Sequence, residues 1–119
     1  MDDCRLCAAP VLASDDAGLA REIGFPEPQF PGHRVVMTTA HRRALEEVTA
    51  EEWAALGMLI GQASARARAE AGAERCYVLA IGDLDDHVCH FHLVPRFAGE
   101  PPLGPHVFGP EGWSRSRRD

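Results

Sequence analysis

The sequence predicts an α+β fold in which one long amphipathic helix packs on an antiparallel sheet of about five strands. Three stretches lead to this prediction. Residues 90–94 alternate histidine with apolar side chains, as a strand with two different faces does. Residues 77–81 form an almost unbroken apolar run that is typical of a buried strand. Residues 50–71 carry apolar side chains at helical spacing behind an N-terminal capping pattern.

Length and composition limit the classes of protein to consider. The chain has 119 residues, of which 45% are apolar, enough for one compact domain with a real core. Its formal net charge of −6 argues against nucleic acid or an acidic membrane as a partner. There is no long apolar run, and the N-terminus is acidic rather than signal-like, so we expect a cytoplasmic protein. In that reducing compartment, the four cysteines favour metal binding or packing over disulfides.

The N-terminal third alternates short predicted strands with turns. Cys4 and Cys7 form a Cys-x-x-Cys pair, a spacing that suits a turn around one metal ion or a redox pair. Short strands are predicted at residues 10–13, 18–23 and 34–38. Residues 18–23 could alternatively form a helical turn. The segment 24–32 contains three prolines, so we expect an ordered loop there.

The predicted helix has clear sequence signals at both ends. Thr49 and Glu52 form a capping box at its start, and Gly72 ends it. Apolar side chains recur along one face, at Trp53, Leu56, Ile60, Ala63 and Ala67. Arg66 falls on the solvent side. These signals together predict one amphipathic helix over residues 50–71.

The histidine strand follows a predicted central strand at residues 77–81. Alternation places His90 and His92 on one face and Phe91 and Leu93 on the other, toward the core. Two imidazoles side by side on a rigid strand can bind a metal, attack a substrate or hold an anion. The alternative interpretation is a pair of solvated or core histidines without a chemical role.

Together these motifs resemble the histidine triad (HIT) family over about residues 4–97. The end of the family's motif matches residues 90–96 (HFHLVPR), and its Pro-Gly-His strand with the following histidine matches residues 31–41. A Cys-x-x-Cys pair, a connecting helix and a long strand occur in the same order as in the zinc-binding members. The resemblance implies a HIT-like domain over residues 1–97. Residues 98–119 form a Gly/Pro-rich extension, part of the same domain or partly loose.

The resemblance implies covalent catalysis on a nucleotide. His90 matches the histidine that attacks the α-phosphorus, and His92 matches the one that contacts the phosphate. The expected activity is nucleotide hydrolysis or nucleotidyl transfer through a nucleotidyl-histidine intermediate, without an organic cofactor. The implied substrates are nucleoside phosphoramidates, dinucleoside polyphosphates or similar conjugates. Glu22 is the candidate for holding the ribose hydroxyls, and Glu27 is the second choice.

The chain departs from the family pattern in two places. The first histidine of the triad falls on Val88, and His87 stands one residue early, which faces it the other way unless a bulge restores it. The preceding turn carries three carboxylates that would repel a polyphosphate, at Asp83, Asp85 and Asp86. Two alternatives therefore stay open. One is a zinc-stabilised module that binds a nucleotide or partner without turnover. The other is a zinc hydrolase with His90 and His92 as ligands.

The resemblance also implies one structural zinc ion. Its expected ligands are Cys4, Cys7, His41 and His87. Cys89 is the alternative to His87 as the fourth ligand, because a thiolate also suits zinc. Cys76 begins an apolar strand and is expected to pack in the core.

A symmetric homodimer is the expected assembly. Trp53, Met58 and Leu59 give the predicted helix more apolar surface than a single core-facing stripe requires. The HIT resemblance implies the same pairing. The alternative is that all three side chains are buried within one chain.

Overall fold

The computed structural model describes residues 5–24, 32–80 and 90–100, and these have the predicted α+β architecture. Five strands form one antiparallel sheet in the order β1-β2-β3-β5-β4. The strands are β1 (Val11–Ser14), β2 (Ala20–Gly24), β3 (Arg34–Thr38), β4 (Ala73–Leu79) and β5 (His90–Phe97). The helices are α1 (Arg5–Ala8), a 3-10 turn (Leu45–Glu47) and α2 (Ala50–Ala71). Most of the predicted C-terminal extension, from residue 101 on, lies outside the described residues.

Helix α2 begins and ends where the sequence predicts. The Thr49 hydroxyl accepts from the Glu52 N–H at 3.1 Å, and the Glu52 carboxylate accepts from the Thr49 N–H at 2.8 Å. Arg42 adds a salt bridge to Glu52 at 3.1 Å, which ties the capping box to the preceding loop. Gly72 ends the helix with a left-handed φ of 77°. No helix in the described part of the chain is long and apolar enough to cross a bilayer.

One face of the sheet packs beneath α2. Its buried core consists of Ala20, Val36, Val48, Ala55, Leu56, Leu59, Ala63 and Leu93. Trp53 was expected on this apolar face, but it is 41% exposed and its ring packs 5.9 Å from that of Phe91. The buried side of α2 is centred between Leu56 and Leu59, so Trp53 falls outside it.

The opposite face of the sheet carries the histidines and a second cluster beneath α1. That cluster consists of Leu6, Ile23, Val35 and Met37. In the β3–β5 pair His90 lies opposite Met37 and His92 opposite Val35, which places both imidazoles on this face. The predicted alternation along β5 is therefore confirmed. We call this side of the sheet the histidine face.

Strand β4 does not lie where its sequence predicts. The apolar run at 77–81 predicts a central strand covered on both faces, but β4 forms an edge of the sheet and β5 lies inside it. Val78 on this edge is 47% exposed. The prediction was wrong because an apolar run shows that a strand avoids water, not which strands lie beside it.

Candidate active site

Three imidazoles meet on the histidine face. Strand β5 positions His90 and His92, whose ring centroids are 5.0 Å apart with an interplanar angle of 74°. His33, immediately before β3, adds a third ring, and its Nε2 lies 2.9 Å from Nδ1 of His92. His90 is half-buried, whereas the other two are buried. One accessible imidazole therefore stands beside a buried, hydrogen-bonded pair.

His33 is the site residue that the sequence analysis did not single out. It lies in the Pro-Gly-His segment, where the resemblance included it without a role. The signal that could have found it is strand parity, because His33 alternates in phase with Val35 and Met37 along β3. That signal becomes useful once β3 is known to pair with β5, which the sequence does not show.

Burial keeps the two inner imidazoles uncharged. Burial and, to a lesser extent, the nearby charge of Arg34 together lower the pKa of His33 to about 4. Burial also lowers the pKa of His92 to about 3, with added repulsion from His90 and His33. At neutral pH both rings are therefore neutral. The 2.9 Å contact between them then holds a single proton.

Glu22 lies on the other face of the sheet. It pairs with Val36 in the β2–β3 ladder and is buried beneath α2. Its carboxylate accepts a hydrogen bond from Arg66 and lies 3.7 Å from Nε of Arg34. The structure therefore does not bring Glu22 to His90 and His92, because strand parity turns it toward the helix. Arg66, expected on the solvent side, reaches down to the sheet. Glu27 lies outside the described residues.

Two of the four expected zinc ligands lie together. Sγ of Cys7, on α1, is 3.4 Å from Nδ1 of His41, in the loop after β3. Two ligands of a tetrahedral zinc ion with usual bond lengths lie about 3.5 Å apart, so this spacing fits the metal. Within the described ranges no group of three possible ligands is found. The other three candidate ligands lie outside those ranges: Cys4, His87 and Cys89.

Comparison with known proteins gives matches among solved structures. No family model and no curated protein matches the chain. A zinc-bound histidine triad family protein from Mycobacterium smegmatis aligns with a TM-score of 0.70 at 20% identity, covering 98% of this chain and 89% of that one. A HIT family protein from Bacillus anthracis aligns with a TM-score of 0.69 at 16% identity, covering 82% and 76%. This chain has the histidine triad fold.

A third solved structure with the HIT fold is described as a hypothetical histidine triad nucleotide-binding protein from Sulfolobus tokodaii. It aligns with a TM-score of 0.63 at 20% identity, covering 77% of this chain and 63% of that one. The HIT fold places a histidine-bearing strand inside a five-stranded antiparallel sheet in this chain, with α2 behind it. At these identities the comparison establishes the fold, and the activity must be argued from the site's own chemistry.

Proposed function

We propose that this protein hydrolyses or transfers the nucleotidyl group of a nucleoside phosphoramidate, a dinucleoside polyphosphate or a similar conjugate. The observation that carries the proposal is the imidazole cluster, in which half-buried His90 stands beside the neutral pair of His92 and His33. The HIT fold supports it, because a HIT-fold structure described as nucleotide-binding is among the structural matches. A cytoplasmic location stays a prediction.

His90 is the proposed nucleophile. Its imidazole nitrogen attacks the α-phosphorus, the bond from phosphorus to the leaving group breaks, and the leaving group departs with a proton. Water then attacks the nucleotidyl-histidine, which releases the nucleoside monophosphate and restores the imidazole. Imidazole suits both steps because it is nucleophilic near neutral pH and leaves readily once phosphorylated.

His92 is the proposed donor to a non-bridging phosphate oxygen, and His33 is proposed to position it. When Nε2 of His33 donates to Nδ1 of His92, the proton of neutral His92 must sit on its Nε2. That nitrogen then donates to the charge that develops on phosphorus oxygens during attack. The reverse tautomer would present a lone pair there, which repels the phosphate.

A structural zinc ion is part of the proposal. Cys7 and His41 would hold it, and the further proposed ligands are Cys4 with His87 or Cys89. When bound, the ion would link α1 to the loop after β3 and so stabilise the fold. It would be a structural ion, outside the chemistry proposed for His90.

One observation favours a second candidate, a zinc-stabilised module that binds a nucleotide or partner without turnover. The carboxylate expected to hold the ribose, Glu22, is bound by Arg66 on the opposite face. Without it, the histidine face has one fewer contact to fix a nucleoside. Such a module would bind the nucleotide through the neutral pair and release it unchanged.

Turnover of adenosine phosphoramidate or a diadenosine polyphosphate separates the two candidates. The parent should release AMP, and acid quenching should trap an adenylylated chain that mass spectrometry detects. His90→Ala should lose both, because no other residue replaces the nucleophile. His92→Ala should be slowed by about 10²–10³-fold, the usual cost of one transition-state donor. Activity of His90→Ala comparable to the parent would rule out the covalent mechanism. Binding of nucleotide without turnover by the parent would favour the module.

A further inference from the structure

A basic depression lies at the end of the sheet away from His90. Its lining consists of Arg68, Gly72, Ala73, Glu74, Arg75 and Arg96, around an open volume of about 600 Å³. Three arginines against one glutamate give it a formal charge of +2. Arg96 is six residues beyond His90 along β5, roughly 20 Å away at the usual rise of a strand. This depression is therefore distinct from the imidazole cluster.

A β-bulge brings the charges together. Ala73 lies opposite Phe97, but the next pair joins Arg75 to Arg96, so Glu74 is the extra residue. Without the bulge, Glu74 alone would lie opposite Arg96 as an opposite-charge pair. The bulge instead sets a second arginine directly across from the first. Like charges directly opposite each other destabilise a sheet, and a bound anion would relieve that repulsion.

Glu74 offsets the two arginines only in part. Its Oε1 lies 3.9 Å from Nη2 of Arg96, too far for a hydrogen bond, and its side chain is 52% exposed. Nε of Arg96 is buried and has no hydrogen-bond partner among the described residues. Arg68 has a separate explanation, because a cation in the last turn of α2 offsets the helix dipole. This leaves exposed Arg75 and partly buried Arg96 facing each other, with the long ion pair to Glu74 as their counter-charge in the depression.

We propose that this depression binds the phosphate group of a small molecule, held between Arg75 and Arg96. The planar guanidinium fork matches phosphate oxygens in pairs, and a dianion offsets the repulsion between the two arginines. The formal charge of +2 favours a phosphate monoester or inorganic phosphate over a singly charged carboxylate. Glu74 opposes any anion and keeps the affinity moderate. The site is independent of the chemistry proposed for His90.

The experiment follows the arginine Nε–Hε signals of the ¹⁵N-labelled full chain by NMR. Inorganic phosphate, AMP and acetate are titrated separately at constant ionic strength. The signals of Arg75 and Arg96 should shift saturably with phosphate and with AMP, and should respond weakly to acetate. Tighter binding of AMP than of phosphate would assign a nucleotide as the ligand. Equal affinities would assign the phosphate group alone. No saturable shift at these two arginines would overturn the proposal.

Matched variants distinguish a specific phosphate site from nonspecific attraction of phosphate to positive charge. Arg96→Gln and Arg75→Gln should each weaken phosphate binding by about tenfold or more, since each loses a charge-assisted hydrogen bond. Arg43→Gln removes the same charge from an exposed position in the loop before α2, outside the depression, and should bind as the parent does. Equal weakening in all three would contradict the site. In His90→Asn the arginine signals should still shift, so failure of the catalytic proposal would leave this result unchanged.

Discussion

In the proposed mechanism, the contact between His33 and His92 determines which nitrogen of His92 carries the proton. Both rings are buried and neutral, so their 2.9 Å contact couples the tautomers of the two rings, with one ring donating and the other accepting. One nitrogen of a neutral imidazole can donate to a phosphate oxygen only when the other nitrogen of the same ring is unprotonated and accepts a hydrogen bond. In the proposed arrangement His33 donates to His92 and acts through it, so its identity matters for that hydrogen bond rather than for its charge.

Substitution of His33 by two different side chains tests this role. His33→Phe keeps a ring in the cavity and removes the donor, so kcat should fall by about tenfold or more while KM changes less. His33→Gln retains an amide N–H near the position of Nε2 and should recover part of the loss. Steady-state kinetics of both variants provides the measurement. A kcat for His33→Phe equal to that of the parent would mean that His33 only fills space.

The lowered pKa values of the same pair predict how stability depends on pH. Folded His33 and His92 stay neutral down to pKa values of about 4 and 3, whereas in the unfolded chain they take up protons below about pH 6.5. The stability that they contribute is present above pH 6.5 and is lost as pH falls. Each group lowers the free energy of unfolding by at most about 1.4 kcal/mol per pH unit in that window.

Urea unfolding at pH 7, 6 and 5 measures that dependence. His33→Gln removes one of the two groups, so its free energy of unfolding should fall less steeply than the parent's between pH 6.5 and 5. The difference between the two slopes then reports His33 together with the change that its loss causes in the pKa of His92. The same slope in parent and variant would show that His33 is protonated as easily in the folded chain as in the unfolded one.

At the scale of elements, the sequence predicted what depends on local signals. The ends of α2 follow from Thr49, Glu52 and Gly72, whose capping contacts involve residues a few positions apart. The position of β4 depends on which strands pair, and so does the face of the sheet on which the Glu22 side chain lies. No local sequence pattern contains that information. His33 was missed for the same reason.

The proposed zinc site depends on helix α1, which places Cys7 beside His41. Elemental analysis of the parent should find about one zinc ion per chain, as a single tetrahedral site requires. Cys7→Ser should release the metal and lower the melting temperature, since the link between α1 and the β3–α2 loop is lost. Cys76→Ser is the matched control, because Cys76 lies on the α2 side of the sheet. A metal-free parent, or equal effects of both substitutions, would rule the site out.

At the scale of the whole molecule, large apolar side chains on α2 and β4 remain exposed within the described chain. Trp53, Met58 and Val78 are each more than two-fifths exposed, whereas Leu59, expected with them, is in the core. Gly57 and Gly61 also lie on the exposed side of α2, and a Cβ on either would meet no atom within 4 Å. Two glycines inside a helix cost about 0.5–1 kcal/mol each relative to alanine. A second copy of the chain packed closely against α2 would explain both the glycines and the apolar side chains.

We therefore predict a symmetric homodimer in which α2 packs near Gly61. Light scattering at micromolar concentration should give twice the chain mass of 13.0 kDa. Gly61→Leu should return the monomer mass, because the added side chain holds the two helices apart. Gln62→Leu adds the same side chain turned about 100° around the helix, and should leave the dimer intact. Gly61→Ala should weaken the dimer less, while making an isolated monomer more stable by roughly 0.5–1 kcal/mol. A parent that scatters as a monomer, or a Gly61→Leu variant that remains a dimer, would contradict this interface.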